Sequence, residues 1–221
     1  MLAQKLLMIG SAPKLVNLTH SQVINSVGST FTFTSAPIGA AGTNRHIVVA
    51  VMGQTNGSDA VISGVTIGGA AMTSATKTGL AREFTGIFYL NVTTGTTATI
   101  VVSTTGPGSG EDVGIAVYSL ENWATLTLVD SGSNSSNSSD FLSISSQDAT
   151  LGGFEVQCIS VNTSGGNGGG TLITAGSTNV TGTGFSGKSD KVWPTSSQTG
   201  QSIVVTNTSA SGVAGSVASF S

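Results

Sequence analysis

Residues 45–52, Arg45-His46-Ile47-Val48-Val49-Ala50-Val51-Met52, decide the reading of this chain. A strand with one wet face alternates apolar and polar residues, whereas the unbroken run IVVAVM reads as a strand covered on both faces. Two further runs, the mostly apolar VGIAVYSL at 113–120 and FEVQCISV at 154–161, are expected with it at the centre of sheets. Around them lie shorter β-branched and aromatic segments at 22–27, 30–34, 60–67, 70–73, 83–92, 98–103, 126–129, 141–144, 171–174, 192–193, 203–206 and 213–220. Residues 60–67 read as a strand pair or a bulged strand, with Gly68-Gly69 as the following turn. The last segment is expected to end the chain inside a sheet.

The total is about ten to thirteen short strands between Gly, Ser, Thr and Asn punctuation, with no persuasive helix. The expected fold is all-β, an antiparallel β-sandwich that is jelly-roll-like or immunoglobulin-like. Residues 1–16 read as an anchoring arm, with Leu2, Leu6, Leu7, Met8 and Ile9 as its apolar contacts. Residues 17–221 form one sandwich domain, with flexible loops near 131–139 and 162–170, where side chains offer little to offset the entropy of ordering.

Glycine, serine and threonine make up 95 of the 221 residues, yet 38 % of the chain is hydrophobic and only 8 % is charged. That combination lies outside the low-hydrophobicity, high-charge regime of disordered chains. A net charge of -3 excludes a basic nucleic-acid surface. Scarce lysine leaves the sheet edges without charged protection, so loops or a partner must cover them. No apolar stretch is long enough for a membrane-spanning helix, and the N-terminal apolar run is too short for a secretory signal. The single cysteine, Cys158, sits in an apolar run and reads as a buried thiol.

Catalytic chemistry finds no constellation. The two histidines, His20 and His46, belong to no metal-ligand spacing, and His46 beside the central run suits a packing or hydrogen-bonding role. No GxSxG elbow occurs, and the glycine cluster at 165–170 matches neither GxGxxG nor GxxxxGK. Glu111, Asp112, Asp130 and Asp140 at turn ends lack the fixed spacing of a calcium loop and suit backbone capping. Trp123 and Trp193 lie at element boundaries, where each serves either the sandwich core or a platform for a sugar ring. The expectation is a non-enzymatic protein with no cofactor and no metal.

The segments VTIGGAAMTSATKT (65–78), GIFYLNVTTGTTATIVVSTTG (86–106) and VGIAVYSLENW (113–123) resemble small β-rich structural proteins of tailed bacteriophages and related prophage or gene-transfer particles. The resemblance covers residues 18–161. It implies a virion component, assembled in the host cytoplasm, that decorates the head or belongs to the tail or fibre apparatus. Its implied partners are other capsid or tail proteins, with many copies on a symmetric scaffold or a homo-oligomer, and it transfers no catalytic residue. The alternatives are a carbohydrate- or receptor-binding module reading a host-surface glycan, and a β-rich hydrolase fragment.

Overall fold

The computed structural model describes residues 14–26, 28–55, 59–80, 82–105, 111–136, 141–149, 151–162, 178–182, 185–192, 198–206 and 212–221. The first part of the chain forms β1 (Lys14–Ser26), β2 (Thr30–Pro37), β3 (His46–Gln54), β4 (Val61–Ile67), β5 (Ala70–Ala71), β6 (Thr73–Leu80), β7 (Glu83–Asn91), β8 (Thr97–Thr105) and β9 (Glu111–Glu121). The second part adds β10 (Leu128–Ser136), β11 (Phe141–Ala149), β12 (Phe154–Asn162), β13 (Thr178–Gly182), β14 (Phe185–Val192), β15 (Gln198–Thr206) and β16 (Val213–Phe220). Every pairing is antiparallel. The fold is all-β and sandwich-like.

Four sheets stack as layers. An outer sheet β2-β8-β4-β5 covers one face of β1-β9-β3-β7-β6, whose other face meets β10-β16-β12-β14-β13; the ribbon β11-β15 lies beyond that. The two five-stranded sheets are therefore interior layers, and their central strands are covered on both sides. All nine residues of β3 and all eight of β16 are buried. Odd-numbered residues Ile47, Val49 and Val51 pack with Phe31, Phe33, Ile100 and Val102 in the first core. Even-numbered Val48, Ala50 and Met52 enter the second core with Phe154, Val156, Cys158, Ala218 and Phe220. Two-sided burial explains why the run has no polar alternation, since side chains one apart point to opposite faces.

The outer sheet shows the opposite pattern. Along β2, buried Phe31 and Phe33 alternate with exposed Thr30, Thr32 and Thr34. The expected bulge in 60–67 is present as a register shift between Ile62 and Gly64. Gly68 and Gly69 take φ of 57° and 83° and close β4 onto β5 as a two-residue hairpin turn that demands left-handed backbone.

Some expectations require correction. Within the tract 131–139, residues 131–136 are not a loop but belong to β10, the edge of its sheet. Its order comes from side chains on both faces. Ser131 Oγ donates to the Ala75 carbonyl at 3.0 Å, Ser133 Oγ donates to the Lys77 carbonyl at 3.3 Å, and Ser135 Oγ lies 3.2 Å from Thr78 Oγ1. On the other face, Asn134 Nδ2 donates to the Ser143 carbonyl of β11 at 2.9 Å. The serine strand thus laces the edge strand β6 of one sheet to its own sheet and to the ribbon. Among the described residues, sixteen strands exceed the ten to thirteen expected, because β6, β13 and most of β14 are polar and are ordered by backbone pairing. Strand β1 takes in Lys14, Leu15 and Val16, which the sequence reading assigned to the arm. Leu2, Leu6, Leu7, Met8, Ile9, Trp193 and residues 163–170 and 171–174 lie outside the described residues.

Replacing Ser131 and Ser133 together with alanine is expected to cost about 0.5–1.5 kcal/mol per lost bond, with the more solvated Ser133 at the low end. Urea denaturation measures this as a lower midpoint at unchanged slope. An unchanged midpoint would show that the lacing contributes no stability.

Candidate functional site

Three connections meet at one end of the first sandwich: 38–45 between β2 and β3, 92–96 between β7 and β8, and 122–127 after β9. Their organiser is Arg45, only 1 % exposed although it carries a full charge. Its Nε donates to the Val92 carbonyl at 2.6 Å, Nη1 to those of Gly39 at 2.9 Å and Gly95 at 2.8 Å, and Nη2 to that of Thr94 at 2.6 Å. A planar guanidinium with donors in a fixed fork suits this work, because it satisfies several loop carbonyls that otherwise lack partners away from water. Burial pulls the Arg45 pKa down, and the Glu121 carboxylate opposes that shift. The Arg45 carbonyl in turn accepts from Asn91 Nδ2 at 3.0 Å and from the Val92 amide at 3.1 Å.

Above this clamp opens a cleft of about 300 Å³ lined by Ala40, Ala41, Gly42, Thr43, Asn44, Arg45, Glu121 and Asn122. Gly39, at φ 78°, lets the loop pass close to β9, since a Cβ there would stand 2.8 Å from Ser119 Oγ. Asn122 holds a left-handed φ of 65° and turns the chain out of β9. The cleft offers a hydroxyl, two amides and a carboxylate at its rim. Such groups hydrogen-bond a neutral hydroxylated ligand, and they supply neither a nucleophile with its base nor a metal-ligand set.

Trp123 lies just beyond the cleft and is turned inward. It is 7 % exposed, and its ring meets Phe154 edge-on with centroids 5.3 Å apart, so no face is free for a sugar. Of the two roles weighed for Trp123, sandwich core or sugar platform, this geometry gives it the first. The indole seals an aromatic seam in which Phe154 stacks on Phe220 at 5.1 Å and Tyr89 meets Phe220 edge-on at 5.4 Å. The signal for an inward Trp123 was its position after a strand buried on both faces.

His46 has the hydrogen-bonding role expected of it. Its Nε2 lies 3.1 Å from the Trp123 carbonyl and donates to it, while the Trp123 amide donates to the Asn44 carbonyl at 2.9 Å. His20 falls within the register shift of β1 between Leu18 and Gln22. Cys158 is buried between the two interior sheets, where desolvation pushes its thiol up to about 12, so no thiolate is available near neutral pH. Among the described residues, no three His, Cys, Asp or Glu side chains are grouped to hold a metal. What sequence reasoning missed was the Arg45–Glu121–Asn122 grouping, because residues so far apart in the chain meet only through the pairing of β3 with β9.

Burial lowers the His46 pKa below its ordinary value, the backbone bond to Trp123 opposing. The unfolded chain therefore takes up a proton before the folded one does. Stability associated with neutral His46 is present above about pH 6.5 and is lost as pH falls through the lower folded value. In His46→Gln protein, the fall in melting temperature between about pH 7 and pH 5 is expected to be shallower than in the parent. Identical pH profiles would remove His46 as the cause.

Comparison with known proteins found no match: no family model matches the chain, and neither a curated protein nor a solved structure is similar to it.

Proposed function

We propose that the protein is a non-enzymatic structural component of a virus particle, decorating a head or forming part of a tail or fibre apparatus, and that its first sandwich is a jelly roll. The observation that carries this reading is strand order. With β5 and β6 counted as one strand broken at Met72, the first nine strands become eight, ordered 1-8-3-6-5 in one sheet and 2-7-4-5 in the other, the fifth strand passing from the second sheet to the edge of the first. Apart from that extra edge pairing, this matches the jelly-roll order, and jelly rolls recur in capsid and lectin domains. The step from fold to role is analogy. It is supported by the resemblance over residues 18–161 and by a surface with little charge, whose interactions depend weakly on salt. Assembly through buried interfaces, without turnover, is the mechanism it implies.

A second reading, a carbohydrate-binding module, draws on the cleft at Thr43, Asn44, Glu121 and Asn122 rather than on Trp123.

Particles purified from a producing host and fractionated on a density gradient are expected to carry this protein in multiple copies, detected by mass spectrometry. Its complete absence from intact particles would overturn the structural reading. Glycan-array binding that falls at least tenfold in Asn122→Ala protein would favour the second reading instead.

A further inference from the structure

The second half of the chain repeats the strand order of the first. Putting β10 for β1, β11 for β2, β12 for β3, β13 for β6, β14 for β7, β15 for β8 and β16 for β9 converts β1-β9-β3-β7-β6 into β10-β16-β12-β14-β13, and β2-β8 into β11-β15. Registers repeat too. Phe31 pairs with Val102 and Phe33 with Ile100, then a shift brings Ala36 opposite Ala98. Leu142 pairs with Val205 and Ile144 with Ile203, then a shift brings Gln147 opposite Gln201. The irregularity stands at the same place in both ladders.

Side-chain direction follows the same rule. In β9, Val113 and Val117 face the first core while Tyr118 and Leu120 face the second; in β16, Val217 faces Ile144 of the ribbon while Ala218 and Phe220 face that same second core. The sequence carries a faint echo: VGIAVYSL at 113–120 and VAGSVASF at 213–220 share Val, Val and Ser at matching positions, and Ile-Val-Val stands at both 100–102 and 203–205. Ladder partners equate Val48 with Val156 and Ala50 with Cys158, and all four lie in the shared core. They equate Ile47 with Glu155 and Val49 with Gln157, the positions facing away from it. These four contact positions are apolar, and Ile47 and Val49 behind the contact have Glu155 and Gln157 as counterparts; elsewhere on the contact Ser160 and Ser216 are polar and bonded across it to the Gly53 carbonyl and Thr85.

The contact is also symmetric. Edge strand β6 lies by β10 and edge strand β1 by β13, and exchanging the halves converts one pair into the other. A two-fold interface between identical subunits has this self-complementary form.

We infer that the chain is a tandem duplication of one sandwich unit, that its halves meet as the two subunits of a dimer do, and that a second copy of this chain is a partner for the same face by exchange of halves. The linker permits it. Trp123 is tied to Asn44, and Thr127 exchanges two backbone bonds of 2.9 Å with Ser221, while Ala124 and Thr125 between them are exposed. Exchange of whole units between copies preserves every contact of the closed chain except the path of this linker.

A protease site inserted between Ala124 and Thr125 of the full chain tests the inference. After cleavage, the halves are expected to remain a 1:1 complex by light scattering, with a melting temperature that rises with protein concentration, as for any associating pair. Cut protein prepared with and without nitrogen-15, then mixed, is expected to show hybrid light–heavy complexes by native mass spectrometry. Halves that unfold on cleavage, or that never form hybrids, overturn the inference. If the insertion itself prevents folding, Ala50→Arg in the intact chain decides: a charge placed in the shared core is expected to split unfolding into two transitions, and a single transition, or none, overturns it.

Discussion

The structure depends on burial of its middle sheets from both sides. Each large aliphatic side chain removed from water contributes roughly 1.5–3 kcal/mol, and a strand covered on one face collects that from alternate residues only. Strand β3, with every residue from His46 to Gln54 buried, collects it from both faces. This concentration of apolar burial in a few strands lets the outer layers be threonine- and serine-rich without loss of a core. Some polar side chains inside the middle sheets have a specific partner, as where Ser160 Oγ donates to the Gly53 carbonyl at 2.9 Å and Thr85 meets Ser216 at 2.8 Å, whereas the buried Gln54 Oε1 and Ser119 Oγ have none among the described residues.

Polar small residues have a second duty at the margins. Sheet edges expose backbone groups that pair readily with other chains, and proteins commonly blunt them with lysine or proline. In this chain, hydroxyls of β10 reach two carbonyls of edge strand β6 instead. Arg45 does the same for loops at the sandwich end by gathering four carbonyls around one guanidinium. Low charge and abundant serine and threonine are thus one strategy: backbone groups at margins are satisfied by short neutral side chains, with a charge kept for the place where several acceptors converge.

How much was legible follows from the range of each signal. IVVAVM at 47–52 and VGIAVYSL at 113–120 announced strands buried on both faces, because an apolar run without alternation has few other places to go, whereas FEVQCISV at 154–161 interleaves the buried polar residues Glu155 and Gln157 with its apolar ones. The hairpin at Gly68-Gly69 was equally local, since its left-handed backbone is open mainly to glycine. The tract at 131–136 was misread because its order lies in Ala75, Lys77 and Ser143, remote in sequence and invisible to composition. The cleft beside Glu121 was hidden for the same reason. The two halves' similar strand orders come with only a few matching residues, because a sheet tolerates wide substitution so long as inward and outward positions keep their phase.

By itself, then, the amino-acid sequence determined an all-β chain, the identity of its central strands and a buried inert thiol, all of which follow from side-chain hydrophobicity and backbone preference over a few residues. Tertiary structure alone decided that the described strands stack as four layers, that a serine tract is an edge strand, that Arg45 organises a polar cleft, and that β10-β16-β12-β14-β13 matches β1-β9-β3-β7-β6 in order. These depend on which strands pair across long stretches of chain, and pairing is chosen by the joint burial of faces that no local segment can specify.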